Sequence, residues 1–325
     1  MIIEDPGEIK ERVREFTNRR IYGDVQIIED TSDYMSIYGG MVLRIAGNDY
    51  FLTGDATEGR FGIDDQPKFW VKYAYDLEDG SRKVIKMVFY EDFTSREGPF
   101  LIKGSRSPEK EAHCLEVVEG HPRFMQGMAV RDKAENLVRI IEFVRGKSLF
   151  VYLCELDMDH EEYFYTVFPA IMEEVIGCIE ALAFMQEHGE HHGDVRNDHI
   201  IIEKGTGAYK WIDFDFSVSY EDYDIWSIGN VITFAAAKRI ISFQEVKTHP
   251  ERFPRCNTGS LSEDDALLFY KYRVANLKKL FPYIPSKLNR ILMNFSQGTY
   301  FFYESYQNLV SDLREAMEEL PKKVI

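Results

Sequence analysis

The apolar residues of this chain change their period once, near Gly146. Before that point they alternate in short runs punctuated by Gly, Asn and Asp; after it they recur every three or four residues. One switch of this kind predicts an α+β chain, strand-rich first and helical second. In the first half, MVLRIA and YFLTG flank Gly47-Asn48-Asp49 and read as a hairpin. FWVKYAYDL and RKVIKMVFY flank Asp79-Gly80 and read as another. Ser107-Pro108 supplies an N-cap and a proline at the first helical position. The helix it opens carries Glu111, Leu115 and Val118 on one face. QGMAV and LVRIIEFV, split by the polar turn 132–136, complete the sheet.

In the second half, Ile171, Val175, Cys178, Leu182 and Met185 mark one face of a long helix ending at Gly189. HIIIE and YKWID form a short hairpin around Gly205-Thr206-Gly207, and from Asp224 onward the pattern is mostly helical. The expected organisation is an N-terminal extension over 1–40 with a charged helix at 7–19, a sheet-and-helix lobe over 41–146, and a helical lobe over 147–325 with an insert at 238–265.

The 325 residues are 45% hydrophobic and 14% aromatic, enough for a sizeable core. A net charge of −16 argues against a nucleic-acid partner, which calls for a basic patch. Cys114, Cys154, Cys178 and Cys256 show neither metal-ligand nor disulfide-framework spacing and read as reduced thiols. The charged N-terminus lacks a signal-peptide apolar region, and no apolar run reaches the ~18 residues of a membrane span. A cytoplasmic protein with no membrane partner is expected.

Four residues carry chemistry. Lys86 sits on a strand whose alternation places it with Val84 and Val88, so it calls for a counter-charge. Glu111, on the inward face of the following helix, is best placed to supply it. Asp194 follows the long helix, and Asp213 ends the second strand of the short hairpin. Of two such acids, one can take a proton from an attacking hydroxyl and the other can hold a divalent cation on phosphate oxygens.

In this order the segments VIK, KEAHCLEVV, EFVRGKSL, ALAFMQEHGEHHGDV, WIDFD and DIWSIGNVI resemble the protein-kinase-like superfamily from about residue 50 onward. The resemblance implies a two-lobed kinase fold: a small antiparallel sheet with one helix, then a mainly helical lobe, with ATP at the hinge between them. It implies that Lys86, held by Glu111, orients phosphates, and that Gly59 and Gly62 form the tip of a glycine-rich loop. Glu142 and Val144 would belong to the hinge, Asp194 would be the catalytic base and Arg196 would neutralise the transferring phosphoryl. Asp213 would hold Mg2+ or Mn2+, and Asp224 would brace the catalytic loop.

The pattern departs from the family at defined positions. Gly193 gives HGD instead of HRD, a form similar to small-molecule kinases. Eight residues, Phe216 to Tyr223, separate Asp215 from Asp224, too few for a peptide-docking segment, so substrate contacts fall to 238–265. Asp215 replaces the glycine of the DFG motif, and His199 stands where the second metal ligand is normally Asn. Three readings of His199 stay open: it ligates a manganese-like ion; Asp215, Asn197 or Asp198 supplies an oxygen in its place; or the metal site is lost. His188, His191, His192 and His199 contain no helical HxxxH pair, which argues against zinc. The expectation is an ATP-dependent phosphotransferase acting on a hydroxyl, foremost a protein serine or threonine. The alternatives are a small-molecule kinase and a nucleotide-binding pseudokinase scaffold.

Overall fold

The computed structural model describes residues 1–60, 63–97, 100–256 and 258–320. Its class is α+β, with a multi-stranded sheet and ten α-helices among the described residues. The chain divides into two compact units.

The first unit comprises Met1–Glu91, Arg106–His121 and Met125–Val144. Its seven-stranded sheet runs, edge to edge, Ile27–Ile28, Val42–Ile45, Asn48–Arg60, Ile63–Asp76, Arg82–Lys86, Leu137–Glu142 and Gly127–Arg131. All pairs are antiparallel except the first. One face buries Leu43, Leu52, Ile85, Met87 and Ile140. The segment expected to be an extension is part of this unit. Ile3, Ile9 and Val13 are buried against Val42, Phe51 and Leu77, because the helix Pro6–Thr17 turns its apolar stripe onto the sheet.

Two turns differ from expectation. The first hairpin closes through Ala46-Gly47, both at positive φ, so Asn48 and Asp49 lie in the strand. The stretch from Gly54 to Arg60 is strand rather than loop; it pairs with 63–73 through three register shifts and ends at Arg60 opposite Ile63. Gly59 therefore lies within a strand, and Gly62 lies outside the described residues.

The second unit comprises Asp92–Ser105, Pro122–Phe124 and the chain from Arg145 onward. The helix Phe168–Glu187 is its axis, with eleven buried residues, and packs against Tyr223–Ala237 and Tyr306–Glu318. A three-stranded sheet joins Gly146–Ser148, Ile200–Glu203 and Tyr209–Trp211. A second joins Phe216–Val218, Phe100–Arg106 and Glu91–Glu97. Between Ala237 and Tyr306 the helices are short, and much of 238–285 consists of turns pinned by hydrogen bonds, less helical than the sequence pattern predicts.

Candidate functional site

In the first unit, Lys86 ends its strand directly opposite Arg139. Two cations on adjacent strands need a shared carboxylate, and the helix Pro108–Val117 provides one. Ser107 caps that helix by accepting from the Lys110 amide at 3.1 Å, with Pro108 at its first position. Glu111, fully buried, then accepts from Lys86 Nζ at 2.6 Å and from Arg139 Nε at 3.3 Å. Sequence reasoning missed Arg139. The available signal was a charge inside the apolar run LVRII; the strand register that sets it beside Lys86 is not legible from spacing. Glu142 is exposed at the end of the same strand, its amide donating to Gln126. Val144, half-buried, is the last residue of this unit.

In the second unit, the segment from His192 to His199 is fixed by its backbone. The amides of His192 and Gly193 donate to the two carboxylate oxygens of buried Asp224 at 2.7 and 2.9 Å. Charge-assisted bonds to two successive amides hold the chain immediately before Asp194. His192 stands edge-on to Trp211 and accepts from the Asp194 amide through Nδ1 at 3.3 Å. Gly193 has φ +80, and a Cβ there would run into the Phe216 carbonyl. No other residue type fits, a physical reason for HGD in this chain.

Phe216 is held close because it belongs to a strand. The eight residues between Asp215 and Asp224 include Phe216–Val218, paired with Phe100–Arg106, and Ser219 donates its amide to the Lys103 carbonyl at 2.9 Å. The rings of Phe93 and Phe216 lie 4.9 Å apart. The strands carrying Phe93 and Lys103 were not separated from the general strand-like pattern in the sequence, because their alternation is mostly polar.

Asp194, His199 and Asp213 converge. Asp213 adopts φ 65, a left-handed conformation that costs about 1 kcal/mol or more outside glycine and is concentrated at functional sites. Asp194 has a side chain 16% exposed; burial raises its pKa above the ordinary carboxylate value, against the pull of His199 and Arg196. His199 Nδ1 faces the Asp194 carbonyl at 2.9 Å, an acceptor only, so the proton sits on Nδ1. Its Nε2 faces the Arg196 Nη2 donor at 3.1 Å and is therefore the lone-pair nitrogen. That lone pair lies 3.9 Å from Asp213 Oδ2.

The His199–Asp213 separation is that of two atoms sharing one divalent ion, while the Arg196 donor occupies Nε2. Two ligand atoms each ~2.1 Å from one metal stand roughly 3 to 4.2 Å apart. A ring N–H donated to a backbone carbonyl is how a ligating imidazole is oriented. Arg196 forms a fork on Asp198 at 2.7 and 3.0 Å and lies 3.8 Å from Asp194. Burial works against the charge on Asp198, but His199 and Arg196 hold its pKa down. Asp198 is thus spent on Arg196, while Asn197 lines a neighbouring cavity. Asp215 is buried directly after Phe214.

No protein-family model matches the chain, and no curated protein matches it.

Proposed function

We propose that the chain has the two-lobed protein-kinase-like fold and transfers the γ-phosphoryl group of ATP to a hydroxyl. The observation that carries this reading is the grip of Asp224 on the His192 and Gly193 amides, which sets Asp194 beside His199 and Asp213. In this reading Asp194 accepts the proton of the attacking hydroxyl, and its raised pKa makes it a better base than a surface carboxylate. Lys86, positioned by Glu111, orients phosphate oxygens. Arg196, once it releases His199, neutralises charge on the transferring group. A divalent ion held by Asp213 and His199 would supply charge neutralisation on the phosphates, and a nitrogen ligand suits Mn2+ better than Mg2+. Phosphoryl transfer leaves little covalent work for the protein, so positioning of this kind is the main contribution.

A second reading, a nucleotide-binding scaffold, is favoured by one contact: Arg196 Nη2 occupies the His199 lone pair that an ion would need. ADP formation from ATP by the full chain, with Mn2+ and then Mg2+, separates the two. Turnover, faster with Mn2+, is expected. Absence of turnover with both metals, alongside a nucleotide-induced rise in Tm, would select the scaffold.

A further inference from the structure

A cavity of ≈ 290 Å³ lies within the second unit, beside the segment that carries Asp194. Arg196 links the two places: it lines the cavity, and its Nε is 3.8 Å from Asp194 Oδ1. The size is at the lower end for small-molecule sites, enough for a compact metabolite and too little for a folded peptide element.

Its polar lining has hydrogen-bonding capacity to spare. Arg273 packs its guanidinium 4.0 Å from the centre of the Tyr270 ring and directs Nε and Nη2 to the Tyr272 hydroxyl at 3.2 and 3.0 Å. Among the described residues no carboxylate pairs with it. In a chain of net charge −16, a guanidinium without a carboxylate in a cavity is unusual. The carboxamides of Asn197 and Asn230 also line the cavity and make no side-chain hydrogen bond among the described residues. The Arg196–Asp198 pair is internally neutral, so the lining carries one excess positive charge. Phe150 and Tyr270 add aromatic surface.

The platform is rigid. The Arg273 amide donates to the Tyr270 carbonyl at 2.8 Å, its carbonyl accepts from Leu267 at 2.9 Å, and Val274 donates to Ile241 at 2.9 Å. With Nε and Nη2 on Tyr272, the Nη1 end of the planar guanidinium is left to recognise a carboxylate or phosphate, and the carboxamides can read hydroxyls.

We propose that this cavity seats the acceptor, and that the acceptor is a small hydroxyl compound bearing a carboxylate or phosphate, held by Arg273 and oriented by Asn197 and Asn230. The role as acceptor site rests on the phosphotransferase reading; the recognition of a small anion does not. Binding and turnover are therefore measured separately. In the binding arm, glycerol 3-phosphate, glycerate, glycerol and choline are titrated onto the full chain without nucleotide, by ligand-observed NMR. The two anions are expected to bind, with glycerol and choline at least ~10-fold weaker, and Arg273→Gln is expected to weaken the anions ~10- to 100-fold. Asn230→Asp, which adds a carboxylate to the cavity, is expected to do the same, and circular dichroism checks that both variants fold. Preference for glycerate over glycerol 3-phosphate, or the reverse, decides between carboxylate and phosphate. Failure of both anions to bind at ~10 mM, or equal binding to wild type and Arg273→Gln, overturns the cavity assignment. In the turnover arm, with ATP and Mn2+, Arg273→Gln is expected to raise KM for the anionic acceptor while kcat changes less than ~3-fold. Anion binding without turnover overturns the acceptor role and leaves an anion site. Turnover on a protein hydroxyl that Arg273→Gln does not affect overturns the substrate class.

Discussion

Replacing Gly193 by Ala isolates the packing that holds the Asp194 segment. Gly193 and Gly189 share nearly the same backbone, φ +80 and φ +78, so an added Cβ strains both alike, by about 1 kcal/mol. Their surroundings differ. At Gly189 nothing lies within 4 Å of the new atom, whereas at Gly193 the Cβ meets the Phe216 carbonyl, which is backbone and cannot rotate away. Forcing a methyl into a closed site adds roughly 1–3 kcal/mol. Gly189→Ala should therefore cost about 1 kcal/mol and Gly193→Ala roughly 2–4 kcal/mol, with a Tm lower by about 2–4 °C per kcal/mol. The strand Phe216–Val218 must also shift to make room, so the Ser219 amide, bonded to Lys103, should exchange faster with solvent in Gly193→Ala and not in Gly189→Ala. Thermal melts and hydrogen exchange on the two variants read both effects. Equal losses in the two variants would refute the contact between Gly193 and Phe216 and the account of HGD built on it.

Three further outcomes are expected. Glu111→Ala removes the buried carboxylate shared by Lys86 and Arg139 and should destabilise the first unit by about 3–5 kcal/mol in a urea titration. Asp224→Asn replaces one charge-assisted bond by a donor facing a donor; it should cost about 1.5–3 kcal/mol and slow turnover by roughly 100-fold while the KM for ATP stays within about 3-fold. His160, stacked on Phe281 with its nitrogens on Tyr283 and the Ala236 carbonyl, is pushed down to about 4, mainly by burial. A depressed histidine binds its proton more readily when unfolded, so stability is full above pH ~6.5 and falls by up to ~3 kcal/mol as pH drops to ~4. Urea midpoints across that range, compared with His160→Gln, should show the slope shrink in the variant.

Much of the fold was legible because local chemistry decided it. Ser107-Pro108 capped a helix, Gly80 and the glycines at 205 and 207 turned hairpins through positive φ, and the apolar face from Ile171 to Met185 made the long helix. What escaped depended on register or on remote partners. The side-by-side placement of Lys86 and Arg139 follows from strand pairing across more than fifty residues of chain. The polar strands Glu91–Glu97 and Phe100–Arg106 find their place through remote partners, the strand Phe216–Val218, itself too short to read, and the rings of Tyr220, Trp226 and Phe269 around Phe100. The helix at the N-terminus looked like an extension because its amphipathic face says that something covers it, not what. The candidate acids stand out in the sequence because Asp194 follows the long helix and Asp213 follows the short hairpin, where a carboxylate is conspicuous. Arg273 does not, since a lone arginine in LLFYKYRV looks like an ordinary surface charge until the cavity around it is seen.

Asp194→Asn removes the carboxylate proposed to take the proton of the attacking hydroxyl while keeping its size. ADP formation and nucleotide binding are measured on the full chain with Mn2+ for wild type and variant. Turnover should be lower by about 100-fold or more, with the Kd for ATP within about 3-fold of wild type. Turnover within about 3-fold of wild type would contradict the role of Asp194 as base.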